Sequence, residues 1–381
     1  MSGGLRSAFA AYETLKNASI LPNAHVYTAL VSACHKMGKA EDSLPLLDDM
    51  IQSEVMVNPV CFGIFAGASA ACDDAIAAKK LLEVWKVQGL GNMQGTAIRG
   101  LKLVQAFNSR GDLDSIFEVF TLLDSHASKE TGKGRKERLP PQLFTVMLDG
   151  CIKWKQYKRG LPLRQKMQEH NISLLDNDIL FKCFLRICAA TGDQPTTDYL
   201  AQALRQRDIK HTRTVINDKD CTQMLLAMMK ADRINEGLEM FTWMNVNKLP
   251  VLTDQTFVVL LTGCADAVSL EQGQAVHQCL VTWKASEFAG PDKWLTTPDL
   301  VSALINMYAK CGQPARAEPI FSEARRMCSG TTGLSVWNSM INGYGINRQV
   351  LDLFAELIQE KHTLNDVTMV HTQCLQPLRA A

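Results

Sequence analysis

One four-residue apolar pattern recurs nine times along this chain, and it constrains the fold more than any other feature. Val301, Leu304, Ile305 and Tyr308 stand at offsets 0, 3, 4 and 7, which is one face of an amphipathic helix. The same offsets occur at Tyr27-Leu30-Val31-Cys34, Phe62-Phe65-Ala66-Ser69, Gly100-Leu103-Val104-Phe107 and Phe144-Met147-Leu148-Cys151. They continue at Phe181-Phe184-Leu185-Cys188, Cys221-Met224-Leu225-Met228, Phe257-Leu260-Leu261-Cys264 and Trp337-Met340-Ile341-Tyr344. Subtracting successive first members (62 − 27, 100 − 62 and so on) gives 35, 38, 44, 37, 40, 36, 44 and 36 residues. Such a period, with occasional insertions, marks stacked helical hairpins, each too small to bury its apolar faces alone.

Each copy is followed by a break, at Gly38, Asp73-Asp74, Gly111, Lys155-Gln156, Gly192-Asp193, Asp232, Val268-Ser269 and Gly312. A second apolar helix comes next, as in Leu44, Leu47 and Met50 or Leu238, Phe241 and Met244. Alternating Val/Ile/Thr runs with Asn-Gly turns are absent, which argues against a sheet. The expected fold is all-α, a right-handed α-solenoid of about nine helix-turn-helix hairpins with partial units at both ends. The predicted repeats are 24–58, 59–93, 97–138, 139–177, 178–217, 218–253, 254–297, 298–333 and 334–365, forming one solenoid over 1–381. Residues 1–23 and 366–381 are partial units; Ser7–Leu15 reads as the second helix of an incomplete hairpin that closes at Asn23. Beginning and stopping inside a repeat suggests a fragment or a truncated gene model.

An apolar share of 46 % suits a folded chain, and no run approaches the roughly eighteen apolar residues of a membrane span, so the chain reads as soluble. The formal charge of +1 gives no global pull on a polyanion, so a nucleic acid must be met by a local basic surface. The cysteines are spread out, with no signal peptide and no Cys-x-x-Cys pair. Cys34, Cys151, Cys188 and Cys264 fall on the apolar faces and read as buried reduced thiols of an intracellular protein. The histidines form neither His-Glu-x-x-His nor His-x-x-His, and no Cys/His cluster has zinc spacing. His277 reads as a packing residue. No catalytic constellation, metal site or cofactor motif is visible, so the expectation is a protein that is not an enzyme.

Several stretches resemble the pentatricopeptide repeat family, in particular its plant-like subclass with long and short repeat variants. ALINMYAKCG followed by Ala317, Ile320 and Phe321 is similar to the short variant. GCADAVSLEQGQAVH (Gly263–His277), with Leu270, Glu271, Gly273 and His277 in place, resembles the long variant. VWNSMINGYG (Val336–Gly345) resembles the start of a further unit, while YTALVSACHKMGKAEDSL (Tyr27–Leu44) and MFTWMNVNKLP (Met240–Pro250) fit the ordinary one.

The resemblance implies that single-stranded RNA lies along the first helices, one base per repeat, selected by the fifth and last residues of each unit. The pairs are Thr28 with Asn58, implying adenine, and Asn338 with Asn365, implying a pyrimidine, mainly cytosine; Thr145 with Asn177 is a third. Thr222 and Ser302 are further fifth residues, as are Gly63, Leu101, Lys182 and Val258, of which Leu101 and Val258 cannot hydrogen-bond; the repeat ends Thr253, Thr297 and Gly333 are not the usual Asn or Asp. The second position, where the family places an aliphatic residue that sandwiches the base, carries His25, Val60, Gln142, Lys219, Gln255 and Asp299, implying modest affinity. Lys36, Lys153, Lys230 and Lys310 share position thirteen, where the resemblance implies phosphate contacts; helix-end lysines favoured by the dipole are the alternative.

Ser128–Arg138, SKETGKGRKER, lacks the Gly-x4-Gly-Lys spacing of a phosphate loop and reads as an inter-repeat loop, with an auxiliary RNA contact as the alternative. The deaminase motifs His-x-Glu and Pro-Cys-x-x-Cys that end many members are not present. By resemblance, the chain is a sequence-selective RNA-binding adaptor in organellar RNA processing, stability or editing. Its partners are single-stranded RNA and other RNA-processing proteins, with no membrane and no small-molecule substrate. The family implies mitochondrion or chloroplast, although no transit peptide is visible. A scaffold for a protein or peptide partner is the competing reading.

Overall fold

The computed structural model describes residues 3–89, 95–127, 138–174, 176–287, 297–327 and 334–344. Among them helices and short connections account for the whole chain, and there is no strand. First helices run Ala24–Lys36, Pro59–Ala71, Thr96–Arg110, Pro141–Lys153, Asp178–Thr191, Asp218–Lys230, Asp254–Asp266, Pro298–Lys310 and Leu334–Tyr344. Second helices alternate with them, including Ala75–Gln88, Leu113–Ala127, Ile234–Val246, Leu270–Glu287 and Pro314–Met327. The chain divides into two compact halves, Met1–Phe184 and Leu185–Ala381. Within the first, the Ala24, Pro59, Thr96 and Pro141 helices adjoin in order; within the second, the Asp218, Asp254, Pro298 and Leu334 helices do. Residues 128–137 and Asn365 lie outside the described residues.

Local chemistry explains where the hairpins turn. The expected breaks hold a residue in the left-handed backbone region. Glycine does so at Gly38, Gly111, Gly192 and Gly312, with φ between +69° and +77°. Asp73, Lys155, Asp232 and Val268 do the same at φ between +52° and +57°, without glycine's freedom. Several first helices begin at the residue after a capping side chain. Asn23 and Asn58 each accept two backbone N–H bonds, Asn217 forms a reciprocal capping box with Asp220, and Thr253 accepts from Thr256. Pro59, Pro141 and Pro298 occupy the first turn, where their missing N–H costs nothing.

Every residue of the repeated template from Tyr27 to Ile341 is buried; the side chain of Tyr344 lies outside the described set. The lead aromatic of a repeat often meets the preceding second helix edge-on. Tyr27 meets Tyr12, Phe144 meets Phe120, Phe257 meets Phe241 and Trp337 meets Phe321, with centroids 5.9, 5.5, 5.8 and 4.8 Å apart. Each such pair contributes about 1 kcal/mol beyond its area and ties one hairpin to the next. Gly100 holds this position without a ring, because Leu123 fills the space: an added Cβ would sit 2.6 Å from Leu123 Cδ1.

The expected second helix at Ser7–Leu15 is part of Gly3–Asn17, held by Asp49, which accepts from the Tyr27 hydroxyl at 2.9 Å, Lys16 Nζ at 2.7 Å and the Tyr12 hydroxyl. One expected core position shifts. Ala40–Ser43 is a 3₁₀ turn and the α-helix starts at Leu44, so Leu46 joins Leu47 and Met50 in the core while Leu44 stays half-buried.

Candidate nucleic-acid interface

The residue that closes one repeat is also the cap of the next first helix, and this double duty sets the geometry of the site. Asn58 Oδ1 accepts from Val60 and Cys61 N–H at 3.1 and 2.9 Å. Its Nδ2 donates to Thr28 Oγ1 at 2.6 Å, so the expected fifth and last residues do meet. Thr28 in turn donates to Ala24 O at 2.6 Å and accepts from Cys61 Sγ at 3.4 Å. Counting donors and lone pairs, one N–H of Asn58 is the uncommitted hydrogen of the pair.

The other expected residues are placed differently. Thr145 donates to Pro141 O at 3.2 Å and Asn177 accepts from Leu180 N–H at 3.1 Å, but no hydrogen bond joins the two. Thr222 is buried, donates to Asp218 O at 2.9 Å and lies 3.0 Å from Thr256 Oγ1, which is also 3.0 Å from Thr253 Oγ1. The fifth and last residues of that repeat are thus linked through Thr256. Ser302 Oγ is buried without a hydrogen-bond partner, and Asn338 is half-buried.

The four lysines are exposed at the carboxyl ends of their helices. Among the described residues Lys36 has no ion pair. Lys153 Nζ lies 5.4 Å above the Trp154 ring, Lys230 reaches Ala190 O at 3.5 Å and Lys310 pairs with Asp266 at 2.7 Å. Both members of the last pair are more than half exposed, so it is weak and readily exchanged for another anion.

Some groups of the ladder escaped the sequence reading. Ile98 and Ile179 hold the second position of their repeats and are 64 % and 62 % exposed, beside Val60 at 55 %. Counting back from the lead residues Gly100 and Phe181 would have found both. Asn217, which closes its repeat as a cap, was legible in the same way.

No group of three or more His, Cys, Asp and Glu among the described residues is arranged to hold a metal. Burial pushes the thiols of Cys151 and Cys264 up to about 11 and that of Cys221 to about 12, the reverse of an activated nucleophile. His277 packs by Nδ1 on the Tyr308 hydroxyl at 2.8 Å. No described helix is long and apolar enough to cross a membrane.

Hairpins that repeat their caps, turns and lead aromatics in register define a helical-repeat protein. The family model described as PPR repeat matches residues 25–55 and 335–357. A pentatricopeptide repeat-containing protein of Arabidopsis thaliana is 24 % identical over 247 residues, covering 62 % of this chain and 43 % of its own length. A putative one from the same plant is 23 % identical over 374 residues, covering 91 % and 49 %. A third, labelled mitochondrial, is 29 % identical over 192 residues, covering 48 % and 26 %. The chain therefore spans about half or less of these relatives. Among solved structures, PPR10 in complex with an 18-nt psaJ RNA element is similar at 18 % identity and a TM-score of 0.47, covering 96 % of this chain and 50 % of that one. By these matches the chain is similar to pentatricopeptide repeat proteins along most of its length.

Proposed function

We propose that this chain is a sequence-selective single-stranded RNA-binding adaptor acting in organellar RNA processing, stability or editing. The observation that carries the reading is the Thr28–Asn58 pair, bonded at 2.6 Å with one amide hydrogen left over. Members of the family select a base with these two positions. Here the free Asn58 N–H meets an acceptor on the base edge, while Val60, Ile98 and Ile179 offer aliphatic faces to base planes. Thr145, Asn177, Asn338 and Asn365 supply further readout. Thr222 and Ser302 present their hydroxyls to the protein and contribute less. Lys36, Lys153, Lys230 and Lys310 neutralise phosphates. The organelle is inferred from relatives such as the one labelled mitochondrial.

Filter binding of the folded chain to a random single-stranded RNA pool at two salt concentrations tests the reading. Four phosphate contacts predict a slope of log K against log salt of about −3. A folded chain that binds no RNA at low salt sinks the proposal and leaves the protein-scaffold reading.

A further inference from the structure

In two pairs of adjacent repeats the third residue of the later one lies against the fifth residue of the earlier one. Cys61 Sγ is 3.4 Å from Thr28 Oγ1, and Thr256 Oγ1 is 3.0 Å from Thr222 Oγ1. Between the second and third repeats the same relation holds with different chemistry, because the fifth residue is Gly63 and the third is Arg99. A Cβ added to Gly63 would stand 3.6 Å from Arg99 Nε, and one added to Gly95 would stand 3.9 Å from Nη2. Gly95 caps the Thr96 helix where Asn58 caps the helix before it. The fifth position of this step therefore carries no side chain, Thr96 at the last position is buried, and a guanidinium extends across the space.

Arg99 is half-buried, lines a small cleft with Pro59, Phe62, Trp85 and Thr96, and makes no hydrogen bond or ion pair among the described residues. Five donors in a fixed fork are left unused. Exposed aliphatic side chains, Val60 and Ile98, stand at the second positions of the repeats on either side of the step. Apolar faces with a planar donor fork between them suit a base rather than a phosphate. Guanine presents two adjacent acceptors, O6 and N7, to such a fork, whereas adenine sets an amino group beside N7.

We propose that Arg99 is the base-selecting residue of the second repeat and that it favours guanine. The inference rests on the RNA-binding reading above. Selection from a random RNA pool by the full chain, followed by sequencing, tests it, with Asn58→Asp altering the neighbouring step and so marking the register. The wild type should enrich G next to the position that Asn58→Asp changes. Arg99→Gln should reduce that preference about tenfold and shift it toward A, leaving adjacent positions alone. Arg99→Lys should keep affinity and lose the discrimination. Circular dichroism confirms that the variants fold. Equal weakening of all RNAs by Arg99→Gln would reveal a phosphate contact, and an unchanged motif a spectator; either overturns the inference while RNA binding stands. No enrichment by the wild type removes the RNA reading itself.

Discussion

Asn58 performs two tasks with one amide, and substitution can separate them. Asn58→Ala removes the acceptor for Val60 and Cys61 N–H, a cap contributing about 1 kcal/mol. It also removes the donor to Thr28, a neutral hydrogen bond contributing about another 1 kcal/mol. The expected loss is about 2 kcal/mol. Asn58→Asp keeps the cap and adds a negative charge at a helix amino terminus, which favours it by about 0.5 kcal/mol. It sacrifices the donor only, so its net cost should stay below about 1 kcal/mol. A Thr28→Ala, Asn58→Ala double-mutant cycle should give a coupling of about 1 kcal/mol. Urea unfolding followed by circular dichroism, with hydrogen exchange across residues 24–71, measures all three. If Asn58→Asp proves as damaging as Asn58→Ala, the division of labour inside the amide is wrong. Only the Asp variant is fit for testing base choice, since its fold is retained.

The strained turn at Val268, φ +53° and 61 % exposed, should gain about 0.5–1 kcal/mol on Val268→Gly: relief of about 1–2 kcal/mol less the entropy glycine adds to the unfolded chain; a lower urea midpoint would refute this. Gly67 has nothing within 4 Å of an added Cβ, so Gly67→Ala should stabilise by about 1 kcal/mol, whereas Gly100→Ala drives a methyl into Leu123 and should destabilise by about 1–3 kcal/mol; melting both variants checks the contrast. Lys36→Ala should flatten the RNA salt slope by about 0.7, and Lys310→Ala by less because Asp266 competes; equal slopes for wild type and Lys36→Ala exclude the phosphate role. Burial holds the His277 imidazole below its ordinary value, so its contribution to stability is complete above about pH 6.5 and is lost as pH falls through the folded-state pKa. His277→Gln should reduce the stability drop between pH 7 and 5.

Periodicity made the scaffold legible because burial acts through side-chain spacing. Tyr27 to Cys34 and its equivalents had to point inward for the hairpins to stack, and they do. The turns were legible for the same reason: a residue after each apolar face must reverse the chain, whether Gly312 or Val268. The pairing of Thr28 with Asn58 also followed from register. Thr145 and Asn177 show the limit: 37 residues separate Phe144 from Phe181 against 35 from Tyr27 to Phe62, and the extra length alters how a cap meets the preceding helix. Hydroxyl direction is likewise set by neighbours rather than by position: Thr256 captures Thr222, and Ser302 Oγ is enclosed. Arg99 was hidden because its significance depends on two glycines, Gly63 and Gly95, that only the folded chain brings beside it.

The most direct test of where RNA runs is crosslinking of a bound 4-thiouridine RNA pool to the intact chain, with the adducts mapped to peptides. Adducts confined to the first helices, at Thr28, Val60, Ile98, Arg99 and their equivalents, are the predicted result. Adducts gathered instead on the second helices, such as Ala75–Gln88 or Ile234–Val246, would contradict the account.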